Sequence, residues 1–241
     1  MGAGREQVTP YLSSELKEVI GRAYPIFAVP APEFIGVCTD CCMDPGLARR
    51  MLGTPVETIT LDQIQEWYGA AKQSNLPLSF VYWHLPRTLD FLAQGKEIAD
   101  VGNEIAFQHF SDDALVPLWP TEQRALFEAF ACALIDARLE LKYPELDTTL
   151  CMIAKSGIDI QIVLDRLTQA HPLRLAKAIL ADSSLGLSML GRNAFWKNSP
   201  SREIVRSWVQ DAGIADRLMQ WGLTQDDETA EVIWQAVDLI P

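Results

Sequence analysis

Between Glu122 and Lys142 lies the segment that most narrows what this chain can fold into. It carries Leu126, Phe127, Phe130, Leu134, Ala137, Leu139 and Leu141 at helical spacing, with Thr121 as a cap before it and Pro144 after it. A helix apolar around that much of its circumference needs neighbours on several sides. Further helices are predicted to supply them. Ser13 or Ser14 opens a helix to Ala23 with Leu16, Val19 and Ile20 as its apolar stripe. Asp44 suits a cap and Pro45 a first turn for Gly46–Leu52, which Gly53 and Thr54-Pro55 terminate. Thr60 and Gln63 spell a capping box ahead of Leu61–Gln73, where Leu61, Ile64, Trp67, Tyr68 and Ala71 share a face. Phe80–Leu85 stays open between helix and strand, because a short apolar and aromatic run has no period of its own. Pro86 is predicted to begin another helix, to Gln94, closed by Gly95. A short helical piece follows around Glu104–Phe110, and Leu115–Pro120 reads as a connection.

Beyond Pro144 the pattern is a succession of short helices: Thr148–Ser156, Ile160–Gln169, Pro172–Ala181, Ser201–Gln210, Ile214–Gln220 and Thr229–Leu239. That spacing suggests stacked helical hairpins. Trp196, Trp208, Trp221 and Trp234 recur every 12 or 13 residues, and one large core anchor per helix is the simplest reading of them. No βαβ alternation is visible, which removes the dinucleotide-binding and P-loop architectures. The expected fold is all-α: a multi-helix bundle with a helical-hairpin, repeat-like C-terminal half. Residues 1–143 would form a cysteine-cluster helical region, and 144–241 a short-helix region packed on it as one globular unit.

Charge excludes some partners. The 241 residues hold 32 acidic and 20 basic side chains, a net charge of -12 spread over both halves. Such a surface repels phosphate backbones and anionic lipid, so neither nucleic acid nor a membrane is expected, whereas a basic protein partner is compatible. No apolar run reaches the roughly 20 residues of a membrane span, and Met1–Glu6 lacks the apolar core of a signal peptide. A cytoplasmic location is expected.

Three of the five cysteines fall in Cys38-Thr39-Asp40-Cys41-Cys42, at the end of an irregular arm, Tyr24–Val37, broken by Pro25, Pro30, Pro32 and Gly36. Cysteines so crowded do not look like a secreted disulfide framework. The Cys-x-x-Cys spacing lets two thiolates turn onto one tetrahedral ion, with the third sulfur completing or competing for the coordination. A fourth ligand would come from His84, Asp40, Asp44, Cys132 or Cys151. Two other readings stay open. Thiol–disulfide exchange would use a thiolate favoured by the following helix N-terminus, although Asp40 and Asp44 oppose it. Alternatively, the thiols are small buried side chains that pack the arm. Of the three histidines, only His84 stands close to the cluster in order; His109 and His171 read as structural. The acidic runs Asp112-Asp113 and Asp226-Asp227-Glu228 most simply cap helices and hydrate loops.

Cys38–Leu52, followed by Trp67-Tyr68-x-Ala70-Ala71 and Leu85-Pro86-Arg87-x2-Leu89-x-Phe91-Leu92-Ala93-x-Gly95, resembles a group of uncharacterised bacterial proteins with a cysteine-rich opening and a Leu-Pro-Arg helix, over about residues 36–140. That resemblance implies a bacterial protein but no activity. The Cys-x-x-Cys-Cys string is also similar to the start of bacterial zinc- or iron-chelating domains, whose further downstream cysteines this chain lacks. Two function classes follow. One is a non-enzymatic, all-helical adaptor or neutralising protein without a cofactor. The other is a zinc- or iron-binding protein, or a thiol redox protein, built on Cys38, Cys41 and Cys42 with His84 as a further metal ligand.

Overall fold

A computed structural model describes residues 12–73, 76, 78–110, 119–184, 190–197, 199–210 and 212–240. The connection expected over 115–118 and the Asp112-Asp113 pair lie outside them. Among the described residues every regular element is helical, and β-pairing is limited to a single antiparallel bridge between Val37 and Lys72. The chain divides into two compact units, 1–100 and 101–241. The apolar helix beginning at Thr121 packs with the helices that follow it in the second unit.

In the first unit, α1 (Ser14–Ile26) is capped by Ser13, whose hydroxyl accepts the Leu16 N–H at 3.1 Å. It runs past the expected end at Ala23 with Pro25 inside its last turn, at the loss of one intrahelical hydrogen bond, and Phe27 N–H still reaches back to the Ala23 carbonyl at 2.9 Å. Its buried face of Leu16, Val19, Ile20 and Ala23 belongs to a helix packed on α4 (Leu78–Ala93). The ambiguous run Phe80–Leu85 is therefore helix, and Pro86 lies inside α4 instead of starting a new one. Between them stand α2 (Pro45–Leu52), capped by the Asp44 carboxylate on Leu47 N–H at 2.7 Å, and α3 (Leu61–Gly69), which carries the full capping box of Thr60 and Gln63.

The core of this unit is aromatic. Trp67 is fully buried, stacks on Phe80 at 5.1 Å and donates its indole N–H to the Ile35 carbonyl at 3.0 Å. That last bond ties α3 to the proline-broken arm. Arg87 on α4 donates to the Ile59 carbonyl at 2.8 Å and pairs with Asp90, fixing the turn that leads into α3.

The second unit contains α5 (Thr121–Leu139), α6 (Leu146–Ala154), α7 (Ile160–Gln169), α8 (Pro172–Ser184), α9 (Ser201–Val209), α10 (Ala212–Gly222) and α11 (Asp227–Val237). Every residue of α6 except Thr148 is buried, and the helix packs among α5, α7, α8 and the 3-10 turn Asn103–Ile105. Helices α8, α10 and α11 pack on one another, and α9 packs on α7. Two of the recurrent tryptophans are core anchors as expected: Trp196 is fully buried, and Trp208, 8% exposed, donates to the Thr168 hydroxyl at 2.8 Å. Trp221 and Trp234 are half-buried, and Trp221 meets the His171 ring edge-on at 5.0 Å.

Asp147 is a buried carboxylate that the sequence did not mark. With no exposed surface, it accepts from the Gly191 N–H at 2.6 Å, the Asn193 N–H at 2.9 Å and the Trp196 indole at 2.8 Å. Beside it Glu104 accepts from Thr148 at 3.1 Å and from the Asn193 amide. A dry carboxylate satisfied by several donors is costly to remove, because the donors are left unpaired. Asp147→Ala is expected to lower unfolding free energy by about 3–5 kcal/mol in urea titrations followed by tryptophan fluorescence. A loss under about 1 kcal/mol would show that the clasp on residues 191–196 carries little stability.

Candidate metal centre

The cysteine loop is held at both ends by backbone. On the entry side Ile35 and Val37 are buried, and the arm lies against the strand-like exit from α3: Cys38 N–H donates to the Ala71 carbonyl at 2.8 Å and Gln73 N–H to the Gly36 carbonyl at 3.0 Å. The Gln73 side chain adds a bond to the Val37 carbonyl at 3.2 Å. This pairing ends α3 four residues before its expected limit at Gln73, since Ala70 turns to extended backbone with ψ 147°. On the exit side Met43, 2% exposed, donates its N–H back to the Cys38 carbonyl at 3.2 Å, and Asp44 then starts α2.

Residues 38–43 are thereby closed into a tight loop, and the three sulfurs converge. The Sγ atoms of Cys38 and Cys41 are 3.5 Å apart, those of Cys41 and Cys42 3.3 Å, and all three lie within 4.8 Å of one another. Zinc–sulfur bonds of about 2.3 Å at the tetrahedral angle separate two sulfurs by about 3.8 Å, so small side-chain adjustments bring all three onto one ion. Cys38 is half-buried, while Cys41 and Cys42 are exposed.

Local electrostatics prepare one thiolate. The Cys38 thiol is held below its ordinary value, first by the backbone N–H of Cys41, then by that of Asp40 and the Cys41 thiol, all of which hydrogen-bond its sulfur. Cys41 is pushed up to about 12 by the Cys42 and Cys38 sulfurs that crowd it. The stabilisation comes from amides inside the loop, and the dipole of α2 need not be invoked. Lys72, beside the bridge, donates to the carbonyls of Ala70 at 2.9 Å, Tyr68 at 3.4 Å and Trp67, and its ammonium lies 4.0 Å over the Trp67 ring. Burial lowers its pKa to about 8, and the Cys42 charge acts in the opposite direction.

The expected fourth ligand does not join them. His84 is 1% exposed in the aromatic core, its Nδ1 2.6 Å from the Phe80 carbonyl and its ring 4.6 Å from Trp67 and 4.8 Å from Phe80. Its place in the sequence, within an aromatic run, reflects packing. The Asp44 carboxylate is engaged in capping α2, and Asp40 is an exposed loop residue outside the sulfur group. Cys132 and Cys151 belong to the second unit, where burial pushes the Cys151 thiol up to about 12. The residue that sequence reasoning missed is Lys72. A lone lysine just past an amphipathic helix gives no signal until the bridge places it beside the loop.

Comparison with protein-family models, curated proteins and solved structures found no match for the chain. No helix among the described residues is long and apolar enough to cross a membrane.

Two outcomes are expected from this electrostatic arrangement. Iodoacetamide at limiting amounts and neutral pH should modify metal-free protein at Cys38 ahead of the more exposed Cys41, read by peptide mass spectrometry; preferential labelling of Cys41 would contradict the assignment. The second concerns Lys72, lowered from 10.5 to about 8. Between those values the unfolded chain binds more protons than the folded one, so the cost of a buried ammonium is fully present below the folded pKa and relieved as pH rises toward the unfolded one. Relative to Lys72→Met, the wild type should gain about 2 kcal/mol of stability across this window. A constant difference would show that Lys72 is not desolvated.

Proposed function

We propose that this chain is a thiolate metal-binding protein, with zinc as the ion its ligands suit best and Cys38, Cys41 and Cys42 as those ligands. One observation carries the reading: three sulfurs on a backbone-clamped loop lie within 4.8 Å of one another. Thiolates select zinc, copper(I) and iron–sulfur clusters among common metals. Iron–sulfur clusters are ordinarily held by four cysteines, whereas zinc accepts three protein ligands with one position open. Thiol redox exchange accounts for a pair such as Cys38 and Cys41 but leaves the third sulfur without a role.

The clamped backbone also favours metal over adaptable packing. Ligand direction is set before the ion arrives, which reduces the ordering that binding must impose. Lys72 offsets charge, since three thiolates around a divalent ion leave one net negative charge beside a lysine.

Elemental analysis of protein purified without chelator is expected to return about one zinc per chain. Replacing Cys38 with serine should weaken zinc binding more than tenfold in a competition titration with a chromogenic chelator, while circular dichroism stays helical. Protein free of stoichiometric zinc, with no uptake of added zinc, would contradict the proposal.

A further inference from the structure

Resting on the zinc reading, we infer that the fourth coordination position of this centre takes a thiolate from a small monothiol in solution, so that the protein offers its metal to soluble sulfur ligands. Three observations lead there. Among the described residues no imidazole or carboxylate stands with the three sulfurs. Exposure is also graded around the loop: Cys38 is half-buried on the side clamped to residues 71–73, whereas Cys41 is exposed. An ion seated on the three sulfurs would therefore be reachable past the exposed Cys41.

The third observation concerns charge and softness. A site made only of sulfur favours a further soft ligand over a hard one such as a carboxylate. A thiolate arriving there raises the negative charge of the centre, and Lys72, whose backbone pairs with Val37 next to Cys38, supplies a positive charge on the segment that clamps the loop. Fixed zinc sites of the structural kind close all four positions with protein groups, and an open position is the mark of a site that exchanges ligands.

The step is a ligand exchange. The bond from zinc to a water oxygen breaks, a bond from zinc to the incoming sulfur forms, and the thiol proton passes to buffer. Nothing is oxidised or reduced.

Cobalt(II) bound to the full chain tests this, because sulfur-to-cobalt charge-transfer absorption scales with the number of Co–S bonds. Titration with 2-mercaptoethanol should raise that absorption saturably by about one third, the change from three sulfurs to four, with cobalt still on the protein after gel filtration. Ethylene glycol, the hydroxyl counterpart, should leave it unchanged. Cys41→Ser, at an exposed position, should begin about one third lower and still respond to the thiol. Absorption that ignores the thiol overturns the inference while leaving the metal site standing. So does absorption already at the four-sulfur level beforehand, as a cysteine from a second copy would produce, or cobalt stripped from the chain by the thiol. Failure to bind cobalt or zinc at all overturns the metal reading and this inference together.

Discussion

The cysteine loop depends on a short antiparallel contact between Gly36–Cys38 and Ala71–Gln73. Its two backbone bonds, Cys38 to Ala71 and Gln73 to Gly36, join an arm with too many prolines to be helical to the point where α3 gives up its helix. Each side supplies what the other lacks. The arm gains partners for amides that would otherwise be unpaired near the core, and α3 gains an exit that water need not solvate. The neighbouring bond from the Trp67 indole to Ile35 anchors the same contact in the aromatic core of the first unit.

Lys72 belongs to that contact as well. The last carbonyls of a helix have no intrahelical donor, and a cation there is favoured by the helix dipole. The ammonium of Lys72 meets the carbonyls of Trp67, Tyr68 and Ala70 and lies on the face of Trp67. Desolvation nevertheless outweighs these interactions and lowers its pKa. The result is a positive charge of reduced hydration on the segment that pairs with the arm leading into the cysteine loop. Helix termination, core packing and the electrostatics of the thiol loop thus share one residue.

Much of the helical layout was legible from local chemistry. The Ser13 cap, the Asp44-Pro45 start and the Thr60–Gln63 box all operate as their residue types require. Likewise, Asp226 caps α11 by accepting from Thr229 N–H at 2.9 Å. What local patterns missed was set by contacts distant in sequence. Residues 70–73 carry a helical pattern that pairing with the arm overrides. Pro86 reads as a helix start, yet packing with α1 keeps α4 continuous across it. Asp147 is invisible because its partners lie more than 40 residues away. The same limit applies at the site: the three cysteines are legible from their spacing, whereas nearness in sequence does not bring His84 to them, because it packs in the aromatic core.

Coordination number is the property of the cysteine loop that separates a three-sulfur zinc site from every alternative. Zinc K-edge X-ray absorption on the zinc-loaded protein, without added thiol, reads the ligand set directly. Three sulfurs at about 2.3 Å and one oxygen or nitrogen at about 2.0–2.2 Å are expected. Four sulfur scatterers, or a shell made mainly of oxygen and nitrogen, would contradict a three-sulfur site.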